Sequence, residues 1–239
     1  MYFKLTSVAT CAAAIVFASS CSSVLPWSHE PIGQELNVAF VIDKNLLVLP
    51  STTIDGRPGR FLFGSADPRS LLDPNFAQSA RSFQLNERES LPLSPVVEDL
   101  HGVADAIIGA DICDSHAITI DYHAGLLTLQ KYGIRSDGMT VFTYAGAPMI
   151  NVVVDGRTIP VVVDTTSPDT LTLRSAGTTG GGRRSAHVQI AGIDFGNIDV
   201  DYADVTAPRI GNRLLSRFLV SIDYGKREVG LWRDPRIAL

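Results

Sequence analysis

Histidine, cysteine and basic runs are scarce in this chain, and each shortage removes a class of chemistry. The five histidines, His29, His101, His116, His123 and His187, show no metal-type spacing and no His-x-x-x-His pair, so no metal site is expected. There is no Gly-x-x-x-x-Gly-Lys run to cradle a phosphate and no Gly-x-Ser-x-Gly elbow, since Gly64-Ser65 lacks its flanking residues. No cofactor is expected. The formal charge is −5 without any polybasic stretch, which argues against nucleic acid or an anionic membrane surface as the main partner. Low-complexity tracts are absent too, so disorder is not the starting assumption.

Long apolar runs are missing except at the start. Lys4 precedes an alanine-rich apolar stretch that ends in Ala18-Ser19-Ser20-Cys21, too short to span a bilayer and patterned like a secretory signal. Small residues leading into a cysteine, followed by Ser22 and Ser23, resemble a bacterial lipoprotein signal, in which Cys21 would be lipidated. An ordinary signal peptide with a cysteine near its cleavage site is the alternative. The expectation is a signal over residues 1–21 and a tether over 22–35. The protein is then exported to the bacterial cell envelope, periplasm-facing, and touches the membrane only through an N-terminal lipid anchor. Cys11 leaves with the leader and Cys21 carries the lipid, so Cys113 is the one cysteine of the mature body and no disulfide framework is expected. Set among Ile108, Ile112 and Ile118, Cys113 reads as a small buried apolar residue.

The body is rich in short valine- and leucine-bearing segments separated by turn signals, which puts the fold in the all-β class. Strands are expected over residues 36–42 and 46–53, with Asp55-Gly56-Arg57-Pro58-Gly59 as a turn and Phe61-Leu62-Phe63 completing the hairpin. Residues 74–87 read as a short helix followed by a strand, and 91–100 as a loop. Ala106-Ile107-Ile108-Gly109 reads as a buried strand, 110–115 as one or two helical turns, and 117–122 with 126–131 as a closing hairpin. The programme then repeats. Asp155-Gly156-Arg157 follows Asp55-Gly56-Arg57 at an offset of 100, while Ile210-Gly211 and Ile222-Asp223-Tyr224 follow Ile108-Gly109 and Ile120-Asp121-Tyr122 at 102. A period that long is domain-sized. Two lobes are expected, over residues 36–133 and 139–235.

Within the repeat, Phe61-Leu62-Phe63-Gly64-Ser65-Ala66-Asp67-Pro68 is matched by Val161-Val162-Val163-Asp164-Thr165-Thr166-Ser167-Pro168. Each is an apolar strand running into a hydroxyl-bearing turn. Val163-Asp164-Thr165-Thr166-Ser167 is similar to the apolar-Asp-Thr-Gly-Ser turn of the pepsin and retropepsin aspartic peptidases. Ile210-Gly211-Asn212-Arg213-Leu214-Leu215-Ser216-Arg217-Phe218 resembles their Ile-Leu-Gly-Asp-x-Phe-Leu-Arg segment, and the order and duplication of the motifs extend the resemblance over nearly the whole mature chain. It implies a bilobal all-β protein of two barrel-type lobes, a cleft between them, and the two turns on its floor. It also implies flap hairpins, and places Gly180, Gly181 and Gly182 in a flap-like segment; a surface loop is the alternative reading.

The resemblance assigns catalysis to two carboxylates sharing one proton, because two like charges that close cannot both ionise. Asp164 is one of them, with Thr165 as its hydroxyl-bearing neighbour. Gly64 stands in the partner's place and Ser65 keeps the hydroxyl position, while Ala66 and Thr166 replace the family's glycine. Asp67 aligns with Ser167, beyond the turn, and is not expected to pair with Asp164. Three functions stay open. One is a catalytically degenerate lipoprotein that binds a peptide or protein in the cleft. Another is an active aspartic endopeptidase that draws its second carboxylate from elsewhere, or from a second Asp164 in a homodimer. The last is a structural envelope protein.

Overall fold

Asp-Gly at residues 55–56 and again at 155–156 turns the chain with the same backbone. Asp55 and Asp155 have φ of +49° and +48°, Gly56 and Gly156 of +77° and +78°. Two successive positive φ values make the tight turn whose twist suits a hairpin, and Asp-Gly is a favoured pair for it. The protein is described by a computed structural model over residues 35–113, 116–131, 133–134, 137–175 and 181–233. The leader, Cys21, the tether up to residue 34 and Gly180 lie outside these residues.

Each half repeats one strand arrangement. Phe61–Phe63 runs parallel to Ala106–Ile108, which in turn runs antiparallel to Leu71–Leu72. A strand from forty residues downstream is thereby inserted between the two that flank the turn at 64–70. In the second half Arg209–Ile210 is inserted in the same way between Arg157–Val163 and Leu171–Arg174. The inserted strand is followed by glycine in both cases because the turn packs directly on it. A Cβ on Gly109 would lie 2.8 Å from the Asp67 carbonyl oxygen, and one on Gly211 would lie 2.6 Å from that of Ser167. The repeated Ile-Gly pairs are the trace of that contact.

The halves are joined by a sheet with approximate two-fold symmetry. Its central strands are Ala117–Asp121 and Leu219–Asp223, flanked by Leu126–Gln130 and Glu228–Trp232, with Leu36–Ala39 and Thr140–Thr143 at the edges. Thr119 pairs with its own duplicate, Ser221, and their hydroxyls are 2.8 Å apart, so the local axis passes between them. Ile118 and Ile120 face Ile222 and Val220 across this pairing, and one continuous core runs from Phe61, Phe63 and Phe83 to Val220 and Ile222. Cys113 is buried in that core.

The halves differ in closure. In the second, Gly182–Ile190 and Ile193–Ala203 are long enough to complete a six-stranded barrel with Met149–Val154, Arg157–Val163, Leu171–Arg174 and Arg209–Ile210. Strands of two or three residues leave the first half as a six-stranded and a four-stranded sheet. Local expectations fail mainly here. The segment 36–42 divides at Phe40, because Leu36–Ala39 joins the shared sheet and Val41–Asp43 pairs with Leu46–Val48. Residues 74–87 carry no helix; Phe76 and Ala77 amides close a turn on the Asp73 carbonyl, and the strand is Ser82–Gln84. The supposed loop 91–100 holds Ser90–Pro92 and Val96–Val97, each recruited by a strand remote in sequence.

Candidate active site

Ser65 and Thr165 follow Gly64 and Asp164 at the ends of the two strands, and both are fully buried. Thr165 Oγ1 donates to the Phe63 carbonyl at 2.5 Å and accepts the Ser65 amide at 2.9 Å. Ser65 Oγ donates to the Val163 carbonyl at 2.6 Å and accepts the Thr165 amide at 3.1 Å. All four bonds cross between the halves, so the interlock is complete despite the sequence changes around it. A buried hydroxyl leaves little choice here, because an unmet partner costs about 1–3 kcal/mol.

A second layer holds the turns from behind. Tyr224 donates its hydroxyl to the Ser65 carbonyl at 3.0 Å. Tyr122, its duplicate, donates to Asn212 Oδ1 at 2.7 Å, and Asn212 Nδ2 donates to the carbonyls of Thr165 and Asn45, each at 2.7 Å. Each tyrosine reaches across the two-fold axis to the other half, Tyr224 to its turn directly and Tyr122 to its turn through Asn212. Burial pushes both phenols up, which keeps them as O–H donors. The Asp-Tyr repeat reads from sequence as turn-forming, and the aspartates do that work: Asp121 accepts the His123 and Ala124 amides, and Asp223 accepts the Lys226 amide. The tyrosines serve the site, and only their recurrence at a fixed offset pointed to them.

Asp164 sits at the end of Arg157–Val163, 6% exposed. Its Oδ1 accepts the Thr166 amide at 2.9 Å and the Thr166 hydroxyl at 2.6 Å. Oδ2 faces Arg209 Nη1 at 3.3 Å. Thr166, where the resembled family has glycine, therefore adds a donor to the carboxylate. Arg209 drew no attention in the sequence, where it merely precedes the Ile210-Gly211 repeat.

The Gly64 turn departs most from expectation. An ideal Cβ on Gly64 would lie 2.2 Å from Asp67 Oδ2 and 3.1 Å from Asp67 Cγ. The Asp67 carboxyl thus occupies the space that a side chain at position 64 would fill. The backbone brings it there: the Asp67 amide donates to the Gly64 carbonyl, and the Asp67 carbonyl accepts the Ala110 amide, folding the turn onto the inserted strand. Asp67 Oδ2 is enclosed and has no hydrogen-bond partner among the described residues. Burial, then the charges of Asp164 and Glu98, push the Asp67 pKa up to about 6. The sequence alignment with Ser167 placed Asp67 beyond the turn; a tight turn around a side-chain-free residue puts its carboxyl in the side-chain space of position 64.

Gly181 and Gly182, assigned to a flap-like segment, lie against Tyr202. A Cβ on Gly181 would be 2.5 Å from the Tyr202 carbonyl, and Gly182 opens the strand Gly182–Ile190 opposite Tyr202. Among the described residues no group of three or more His, Cys, Asp or Glu side chains is placed to hold a metal ion.

No family model and no curated protein matches the chain. Among solved structures, the chain is similar to the crystal structure of an aspartic proteinase from Irpex lacteus. That likeness covers 84% of this chain and 98% of the other at 10% identity, with a TM-score of 0.58. It shows the fold, an all-β pepsin-like aspartic-proteinase architecture.

Proposed function

We propose that this protein hydrolyses peptide bonds as an aspartic-type endopeptidase whose acid–base pair is Asp164 and Asp67. The observation that carries the reading is the Asp67 carboxyl lying in the side-chain space of Gly64, its Oδ2 enclosed and without a partner among the described residues, within the field of Asp164. Asp67, with its pKa raised, holds the acid's proton, and Asp164, paired with Arg209, is the base. Asp164 would take a proton from water as the water oxygen adds to the peptide carbonyl carbon, while Asp67 gives its proton to the carbonyl oxygen. In the collapse Asp164 passes its proton to the leaving nitrogen, the C–N bond breaks, and Asp67 recovers a proton from the new hydroxyl. Both carboxyls come from one chain, so no second copy is required. Losing the Asp67 proton removes the acid, and activity should fall as pH rises through about 6.

The test is cleavage of a peptide mixture from pH 3 to 7 by wild type, Asp164→Asn, Asp67→Asn and the double variant Gly64→Asp/Asp67→Ser. Each single substitution should lower the rate by about 10²–10⁴-fold. The double variant, which moves the carboxyl back to position 64, should restore cleavage. Full activity in Asp67→Asn would sink the pair.

A second reading, a peptide-binding protein that does not cut, is favoured by one observation: both Asp164 oxygens already have partners, in Thr166 and Arg209. Wild type that binds the mixture without cleaving it would decide for this reading. In either case the proposed setting is the bacterial envelope, with Cys21 lipidated. Incorporation of labelled fatty acid, lost in Cys21→Ala, is the expected result.

A further inference from the structure

The two turns are symmetric in backbone but not in what stands beside them. Ile107 and Arg209 hold duplicate places, each preceding the Ile-Gly pair and each paired in parallel with the strand that delivers its turn, Ile107 opposite Leu62 and Arg209 opposite Val162. Ile107 comes within 2.6 Å of the Cβ position of Gly64 and packs on a small apolar group of Leu46, Val48, Leu62, Leu100 and Ala104. At the duplicate place the second half presents a guanidinium. We infer that Arg209 forms a carboxylate-recognising subsite beside Asp164, so that the peptide taken by this site carries an acidic side chain or a terminal carboxylate on the Arg209 side and an apolar side chain on the Ile107 side. This rests on the reading of the paired turns as the peptide site.

A guanidinium has five N–H donors in a rigid fork, suited to bidentate capture of a carboxylate. Among the described residues Arg209 commits one of them, Nη1, at 3.3 Å, longer than the 2.7–2.9 Å usual for a charge-assisted bond. Its side chain is 37% exposed, so it is not sealed inside the fold. Asp164 Oδ1 is held separately, by two donors from Thr166. On the far side the charge of Glu98, an exposed residue, bears on Asp67. An acidic peptide group would be repelled there and drawn to Arg209.

The experiment uses matched peptides with Glu, Gln, Leu or Lys at each position flanking the cleaved bond, and a set ending in a free acid or an amide. The full-length protein, Arg209→Ile and Arg209→Lys are compared by kcat/KM, and by fluorescence anisotropy with peptides whose scissile bond is reduced. Wild type should favour Glu over Gln at one position, or acid over amide at the chain end, by about tenfold. The first outcome assigns side-chain carboxylates and the second chain termini. Arg209→Ile, which copies the first half's residue, should bring the ratio to about one, and Arg209→Lys should keep part of it. A wild-type ratio near one, or a ratio unchanged in Arg209→Ile, overturns the subsite. Absence of cleavage by wild type overturns the hydrolase reading alone, because anisotropy still measures the Glu-to-Gln ratio. A ratio near one in that measurement overturns the subsite as well.

Discussion

Gly64 and Asp67 form a unit in which the absence of one side chain makes room for another. A methyl at position 64 would meet Asp67 Oδ2 at 2.2 Å and Ile107 Cγ2 at 2.6 Å, so Gly64→Ala should destabilise by about 1–3 kcal/mol in urea titration. Asp67 makes a second prediction, with its sign set by its raised pKa. The folded state binds this proton more tightly than the unfolded chain, so the stabilisation present below about pH 4 is lost as pH rises through about 6. Asp67→Asn has no charge to bury. It should match wild type at pH 4 and exceed it by about 1–2 kcal/mol at pH 7, a range reduced for the carboxyl's partial solvent exposure. Equal stability of the two proteins across that range would show that Asp67 is not held in this environment.

At the scale of elements, the interlocked turns depend on residues that neither hold nor touch a proton in the proposed reaction. Tyr224→Phe removes the donor to the Ser65 carbonyl and should cost about 1–2 kcal/mol of stability. Gly211→Ala places a methyl 2.5 Å from the Asp169 carbonyl oxygen, backbone against backbone, and should cost at least about 2 kcal/mol. The repeated strands, Asp-Gly turns and Ile-Gly pairs were legible in the sequence because each is a local signal that recurs. The strands Ser90–Pro92 and Val96–Val97 were not, because their partners, Ser82–Gln84 and Leu71–Leu72, supply the edge that makes them strands. Arg209 was equally silent: a lone arginine before an apolar pair acquires meaning when the inserted strand carries it to Asp164.

For the whole molecule, the shared sheet and continuous core predict that the halves unfold together. Far-ultraviolet and near-ultraviolet circular dichroism should report one coincident transition in urea, and two separated transitions would mean that the core is divisible. The amino-acid sequence by itself determined the all-β class, the duplication and the turn that carries Asp164, since alternation, turn chemistry and repetition are properties of neighbours along the chain. It also showed that position 64 bears no carboxyl. Only the tertiary structure decided what fills that place. Asp67 reaches it because the turn folds back on the inserted strand, and Arg209 meets Asp164 because a strand forty-five residues downstream is threaded beside the turn. Those contacts are set by packing between segments remote in sequence, which no local pattern encodes.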